Sequence, residues 1–345
     1  MTMKNKILLL LAFVLLTSHD MFLKLDSYFL QPNTPATIQL YNGTFERSEN
    51  AISRDRMLDA SLVGNGERIA VDSTQWSDMD NAAILSFTTG EAGTWVAGVS
   101  TAARNIEMTA EDFNGYLEHD GVLDMLEWRR ENNALGSGAV EKYSKHVKAI
   151  FQVGEAKTED WQTVLGYPIE FIPLENPYDL HPGHSLSVRL LWQGEPLVNQ
   201  LVYLGFQPSP DPGQSHSHSD EADHSHDDAA GADHTHENTR SLTTDGDGIV
   251  RFPITAKGVW YLRTIYMTLS DAPGLTHESN WATLTFGVGE GHSHGDTVSP
   301  APEDGTSAGE PEMQDGDDYT FVYGLLVGVG LALLVFLLFR RPKRS

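Results

Sequence analysis

The chain contains no cysteine among its 345 residues. That excludes thiol nucleophiles, Cys-ligated zinc, iron–sulfur clusters and disulfides, so the fold must be held by its apolar core. Basic residues are also scarce: 23 Lys and Arg stand against 48 Asp and Glu, for a formal net charge of −25. Residues 19–339 hold only 17 of the basic groups but all of the acidic ones. Nucleic acid is disfavoured as a partner because little here could neutralise phosphates, whereas cations are attracted by the same field. There is no H-E-x-x-H helix, and the G-x-S-x-G match at 291–295 lies in the acidic linker rather than between a strand and a helix, so the chain is not read as an enzyme. The run Asp245-Gly-Asp-Gly248 begins like a calcium loop but lacks the closing Glu, and a tight turn accounts for it.

Long apolar runs are limited to two. The first, 7–16, follows Lys4 and Lys6 and ends before Thr17 and Ser18, which predicts a signal peptide over 1–18. The second, 321–339, has 19 residues and no charge, with Tyr319 and Tyr323 at one end and Arg340, Arg341, Lys343 and Arg344 behind it. This predicts a transmembrane helix at 320–339 and a basic cytoplasmic tail at 340–345, with everything before it facing outward. A cleavable C-terminal sorting tail has a similar appearance and is the alternative.

Between the termini lie short runs rich in β-branched and aromatic residues, punctuated by Gly, Asn, Asp and Pro. They are 37–45, 59–63, 82–88, 94–100 and 146–153, then 169–173, 185–192, 200–206, 249–253, 260–268 and 281–288. Their lengths and spacing predict an all-β fold of two β-sandwich domains of immunoglobulin-like type, 19–156 and 157–288. One stretch breaks the pattern. In 109–133, Thr109 and Asp112 have near-capping spacing, and Leu117, Leu123, Leu126 and Trp128 follow, predicting a small helical insertion in the first domain. Residues 289–319 read as an acidic Gly/Pro/Ser linker to the membrane.

The most unusual stretch is 214–238, QSHSHSDEADHSHDDAAGADHTHEN. It carries three H-x-H pairs, His216/His218, His224/His226 and His234/His236, interleaved with seven carboxylates and no Lys or Arg. A fourth pair, His292/His294, follows in GEGHSHGD. In extended chain, residues i and i+2 point the same way, so each pair can offer two imidazoles to one ion. Imidazole with carboxylate suits zinc, nickel, cobalt or copper(II), and spacing alone does not choose among them. The competing reading is a solvated polar loop. His19 is a further candidate ligand: cleavage after Ser18 would make it the first residue, with its α-amino group and imidazole able to chelate together. His181 and His184 flank a Pro-Gly turn, and His119, His146 and His277 are single histidines for which ordinary surface or core roles are expected.

Five segments carry a family resemblance: HDMFLKLDSYFLQP (19–32), EKYSKHVKAIFQVG (141–154), the run 169–206, the run 244–267 and ESNWATLTFGV (278–288). In this order they resemble the exported bacterial family called domain of unknown function 4198, commonly described as a periplasmic component linked to nickel or cobalt uptake. The resemblance implies a two-part β ectodomain, with the His-rich stretch as an insertion, and brings no catalytic residue. It implies an ectodomain in the periplasm on a single-pass inner-membrane anchor, nickel or cobalt as the favoured metal, and a membrane metal permease as partner. The expected function is thus a membrane-anchored, metal-binding accessory for uptake or buffering. An adhesion or scaffold protein that binds a protein or glycan, with the His loop incidental, is the alternative.

Overall fold

Side chains that suit a pleated surface buried on both sides set the architecture. The computed structural model describes residues 20–208 and 239–289. The first half contains strands β1 (Asp20–Lys24), β2 (Phe29–Leu30), β3 (Pro35–Gly43), β4 (Met57–Gly64), β5 (Glu67–Ala70), β6 (Trp76–Met79), β7 (Ala82–Thr88), β8 (Gly93–Thr101) and β9 (Arg104–Met108). Helices α1 (Ala110–His119) and α2 (Leu123–Glu131) follow, then the long strand β10 (Ala139–Val153). The second half contains β11 (Ile169–Pro173), β12 (Ser185–Trp192), β13 (Glu195–Pro196), β14 (Leu201–Pro208), β15 (Arg240–Thr243), β16 (Ile249–Pro253), β17 (Gly258–Leu269) and β18 (His277–Val288).

A ten-stranded sheet runs in the order β15-β14-β17-β18-β10-β8-β4-β5, with β2 and β9 also paired to β10. Its seam is the parallel pairing of β10 with β18, from Glu141↔His277 to Ile150↔Phe286. Two four-stranded sheets, β1-β3-β7-β6 and one built on β12 with β11, β13 and β16, complete the fold.

Alternation along β10 sends Glu141, Tyr143, Lys145 and Val147 to one face of the central sheet and Ser144, His146 and Lys148 to the other. On the first face, the hydroxyls of Thr283 and Thr285 donate to the carbonyls of Met21 (2.7 Å) and Leu23 (2.6 Å), docking β1. The same face is covered further along by the helices, where Phe113, Tyr116, Leu117, Val122 and Met125 pack with Ile265, Met267 and Trp281. On the opposite face β16 contributes Phe252, stacked 6.2 Å from Trp260. All three sheets share one apolar core.

Lys148 is buried against β11 and fully satisfied. Its ammonium donates to the Thr163 carbonyl (2.9 Å), Glu170 Oε2 (3.1 Å) and the Phe171 carbonyl (3.1 Å). Glu170 in turn accepts from the backbone amides of Leu165, Gly166 and Tyr167. Burial is what pushes the Lys148 pKa down, and Glu170 opposes it.

The chain is all-β with two short helices, which fall where the 109–133 interruption predicts them. Thr109 caps α1 by accepting from the Asp112 amide at 3.2 Å. The turn at 245–248 is also as expected: Asp245 Oδ1 accepts from the amides of Asp247 and Ile249, and Gly248 has φ +71°. Strands at 82–88, 169–173, 185–192 and 249–253 match to the residue. β10 starts at Ala139, seven residues before the predicted run at 146, because Glu141 and Lys145 look like surface residues in sequence but are buried. The signal peptide 1–18, the linker 289–319 beyond Gly289, the membrane span 320–339 and the tail 340–345 lie outside the described residues. Among the described residues no helix is long and apolar enough to cross a membrane.

The Lys148–Glu170 pair yields an ordered expectation. K148M leaves a buried carboxylate that keeps three amide donors, whereas E170L strands both the ammonium and those amides. Breaking a buried pair from one side costs about 3–5 kcal/mol. Urea midpoints should therefore fall in the order wild type, K148M, E170L. A K148M protein as stable as wild type would mean that the buried ammonium does not hold β11.

Candidate functional site

Where β1 begins, ionisable side chains gather beneath the helical insertion. Asp20 is buried, and its Oδ2 lies 3.3 Å from Nε of the equally buried Arg263 on β17. Arg263 also donates through Nη1 to the Asp120 carbonyl (3.2 Å) and lies over the Tyr203 ring at 4.4 Å. Tyr203 closes the corner by donating its hydroxyl to the Gly121 carbonyl at 3.2 Å. Gly121 has φ +76°, and a Cβ there would overlap the Tyr203 hydroxyl, so this approach requires glycine.

Asp120 ends α1. Its amide bonds the Tyr116 carbonyl, and its Oδ1 lies 3.1 Å from Nδ1 of the half-exposed His119. A carboxylate at a helix C-terminus is disfavoured by the helix dipole, and Arg263 beside it offsets that. The corner is not fully satisfied. Asp20 Oδ1, Asp120 Oδ2 and Arg263 Nε are buried with no hydrogen-bond partner among the described residues. Burial pushes the Asp20 pKa up; Arg263 lowers it and Asp120 raises it further.

Next to this corner on β10 stand Lys145 and Glu141. The Lys145 ammonium donates to Asn42 Oδ1 (3.1 Å) and lies 4.9 Å from the centre of the Trp281 ring. Burial pushes its pKa down to about 8, with Asp20 acting in the opposite direction. Glu141 Oε1 accepts from the Tyr116 hydroxyl (3.2 Å) and from the Ser279 hydroxyl, to which Trp281 Nε1 donates at 3.1 Å. Burial raises the Glu141 pKa to about 7, against the hydrogen bonds from Ser279 and Tyr116. Burial thus draws a lysine and a glutamate of one cluster toward neutrality, as happens both at functional sites and in structural ion-pair networks.

None of the nine histidines singled out in sequence, His19, His216, His218, His224, His226, His234, His236, His292 and His294, is among the described residues. The other five fall into three kinds. His146 and His277 are core residues whose pKa burial pushes down to about 4. His146 is held by Ser100 (2.9 Å) and Ser144 (3.1 Å), and His277 by Thr276 (2.7 Å). His181 and His184 form a turn, with the His184 amide donating to the His181 carbonyl at 3.0 Å. His119 differs in facing Asp120 at the edge of the polar corner. Asp20, Asp120, Lys145, Glu141 and Arg263 were not singled out from sequence. The available signal was charge at positions where a strand pattern demands apolar residues. Among the described residues no three His, Asp or Glu side chains are grouped closely enough to hold a metal ion.

The model of the family described as "Domain of unknown function (DUF4198)" matches residues 16–268, and the chain belongs to that family. No curated protein matches it. Among solved structures it is similar to a Salmonella alpha-2-macroglobulin mutant, with 10% identity, a TM-score of 0.20, and 78% of this chain aligned to 15% of that one. A DUF4785 family protein from Legionella pneumophila matches at 11% identity and TM-score 0.20, with 70% and 50% of the two chains covered. The D0-D1 domain of intimin matches at 11% identity and TM-score 0.17, covering 77% of this chain and 97% of that one. The chain thus spans half or less of the first two proteins.

The Glu141 pKa gives a pH dependence of definite sign. A folded-state value of about 7, against an ordinary 4.5, means that the folded protein holds this proton more tightly than the unfolded chain. The stability it contributes is fully present below pH 4.5 and is lost as pH rises through 7. E141Q keeps the acceptor oxygen and cannot ionise. Its melting temperature should match wild type near the acid end, exceed it increasingly as pH rises from 4.5 towards 7, and keep a constant lead above that. Parallel profiles for the two proteins would mean that Glu141 titrates as it would in water.

Proposed function

We propose that the protein is a membrane-anchored, extracytoplasmic metal-binding accessory. It would capture a divalent transition metal as cargo, nickel or cobalt foremost and zinc or copper otherwise, for uptake through a membrane permease or for buffering. The anchor would be the apolar run at 320–339 and the compartment the periplasm. On this reading the two halves of the chain are two immunoglobulin-like sandwiches fused through the β10–β18 seam. It assigns the protein no catalytic step.

One feature carries this reading: the described strands that bracket the His-rich segments end close together. Pro208, six residues before the stretch 214–238, pairs with Gly258, which pairs with Val288, four residues before His292. On the return side Arg240, four residues after His236, pairs with Leu204. Leu204 adjoins Tyr203, which lies against Arg263 and so next to Asp20. Four residues of chain reach at most about 14 Å. Position 19 is bonded to Asp20, about 3.8 Å away from Cα to Cα. The described residues Asp20 and Arg240, which adjoin the stretches carrying His19 and His236 in sequence, thus lie on the strands beside His119 and the Asp20 and Asp120 oxygens. Those donors, imidazole nitrogen and carboxylate oxygen, fit a borderline divalent ion in kind.

The cargo would be held by exchangeable imidazoles and carboxylates rather than by a rigid cage. The His-rich segment has little apolar content, so it contributes little to folding and its removal costs only a loop-closure change. The test is calorimetric titration of nickel, cobalt, zinc and copper into the purified chain, into a variant with 214–238 replaced by a short Gly/Ser link, and into H119A. Most bound equivalents should disappear with the segment while the melting temperature holds. H119A should weaken the tightest remaining equivalent, and all binding should fall as pH drops through about 6.5, where imidazole protonates. Equal stoichiometry in the intact and shortened chains would overturn the reading.

A further inference from the structure

Two of the described histidines stand apart from both the core and the polar corner. His181 and His184 are exposed, and they occupy the two ends of one tight turn, His181-Pro182-Gly183-His184, that leads into β12. The turn is closed by the His184 amide, which donates to the His181 carbonyl at 3.0 Å. It is pinned twice to the end of β16: the Gly183 amide donates to the Ile254 carbonyl (2.8 Å), and the Ile254 amide donates to the His184 carbonyl (2.9 Å). Pro182 fixes its own φ, and Gly183 has φ +102°, a conformation that glycine adopts without strain. The backbone beneath both imidazoles is therefore set before any ligand arrives.

The two rings lie 5.7 Å apart, centre to centre, and are tilted by 55°. Imidazole nitrogens that share one ion, each about 2.1 Å from it, place their rings roughly 4.5–5.5 Å apart. A small side-chain rotation closes the difference, and exposed side chains make such rotations within nanoseconds. His184 Nδ1 faces the His181 amide at 3.4 Å, which leaves its Nε2 edge turned away from the turn. That contact is too long to cost much when the proton moves to Nδ1 and Nε2 takes a metal. The nearest acid in sequence, Asp179, is committed to Lys157 at 2.6 Å, so the remaining positions on the ion fall to water. The chain's net charge of −25 favours a cation here, as elsewhere on its surface.

We propose that His181 and His184 form a two-imidazole chelate for one divalent transition-metal ion on the folded chain, completed by water. Copper(II) should bind most tightly, with nickel and zinc below it and magnesium not at all, in the order nitrogen ligands follow. The site differs from the His-rich segment in its link to folding. The turn holds its geometry through the pairing of β12 with β16, which begins at Ser185↔Pro253, so a bound ion favours the native state. The inference stands on the folded turn alone and does not require that 214–238 bind metal.

The experiment titrates copper, nickel, zinc and magnesium chloride into the full chain, into the chain with 214–238 replaced by a Gly/Ser link, and into H181Q/H184Q versions of both, followed by calorimetry and melting temperature. The shortened chain should bind one equivalent of copper more than its H181Q/H184Q version, and its melting temperature should rise further on adding copper. H184Q alone should weaken that equivalent by about tenfold or more, because a single imidazole no longer chelates. Both side chains are exposed, so the substitutions should leave the metal-free melting temperature unchanged. If they lower it, nickel added to labelled shortened chain should still broaden the ring resonances of His181 and His184. Equal copper stoichiometry and equal melting shifts in the shortened chain and its H181Q/H184Q version, or unbroadened rings, would overturn the proposal. Loss of all binding on shortening would also overturn it while leaving the metal reading of the segment in place. Loss of binding in the histidine variants alone would do the reverse.

Discussion

The protein must bury a lysine on each face of one strand. Lys145 and Lys148 lie three residues apart on β10, so alternation sends them to opposite sides of the central sheet, and both are at most 5% exposed. Neither ammonium can be left in a dry interior without opposite charge and hydrogen bonds. On one side β11 brings Glu170 to Lys148. On the other, β1 brings Asp20 into the field of Lys145, and β3 brings the side-chain amide oxygen of Asn42 into hydrogen-bond contact. The outer layers are thus matched to the central sheet by charge as well as by apolar surface. A misdocked layer would leave a cation uncompensated, which penalises alternative packings more than apolar contact alone could.

The two sides resolve this constraint differently. The Lys148–Glu170 pair is complete: three acceptors on the ammonium and three backbone donors on the carboxylate leave nothing for a ligand to do. The Asp20 side is less complete: Asp20 Oδ1 and Asp120 Oδ2 are buried with no hydrogen-bond partner among the described residues, while Arg263 Nε keeps its ion pair with Asp20 Oδ2. A fully satisfied buried network rigidifies and specifies a core, whereas a partly satisfied one leaves buried polar groups at a cost in stability.

Much of the architecture was legible in the sequence because it depends on local signals. Strands with period-two patterning and punctuating turns were found, and Thr109 with Asp112 announced α1. The reading failed where burial and polarity part company. The first half of β10, Ala139 to Lys145, carries Glu141, Lys142 and Lys145 and does not look like a central strand; it is held between β9 on one side and, on the other, β18, whose paired residues lie 136 positions away. Short edge strands such as β5 and β13 carry little periodicity in so few residues. For the site, the sequence drew attention to histidine density, which composition makes conspicuous. The Asp20–Arg263–Asp120 corner is assembled from three distant segments whose residue types are unremarkable one by one, so only the fold reveals it.

The seam strand β18 is central in space and last in order. Its register with β10 joins residues 136 apart, such as Glu141 and His277. Until residue 288 has left the ribosome, β10 exposes an unpaired edge of mixed polarity, and the apolar clusters that Trp281 completes on one face and Leu284 and Phe286 on the other stay open. Pairings this distant in the chain make folding slow and late, and an open edge of this kind is a template for association with other chains. A truncation just short of β18 would remove the middle of the sheet, not its margin.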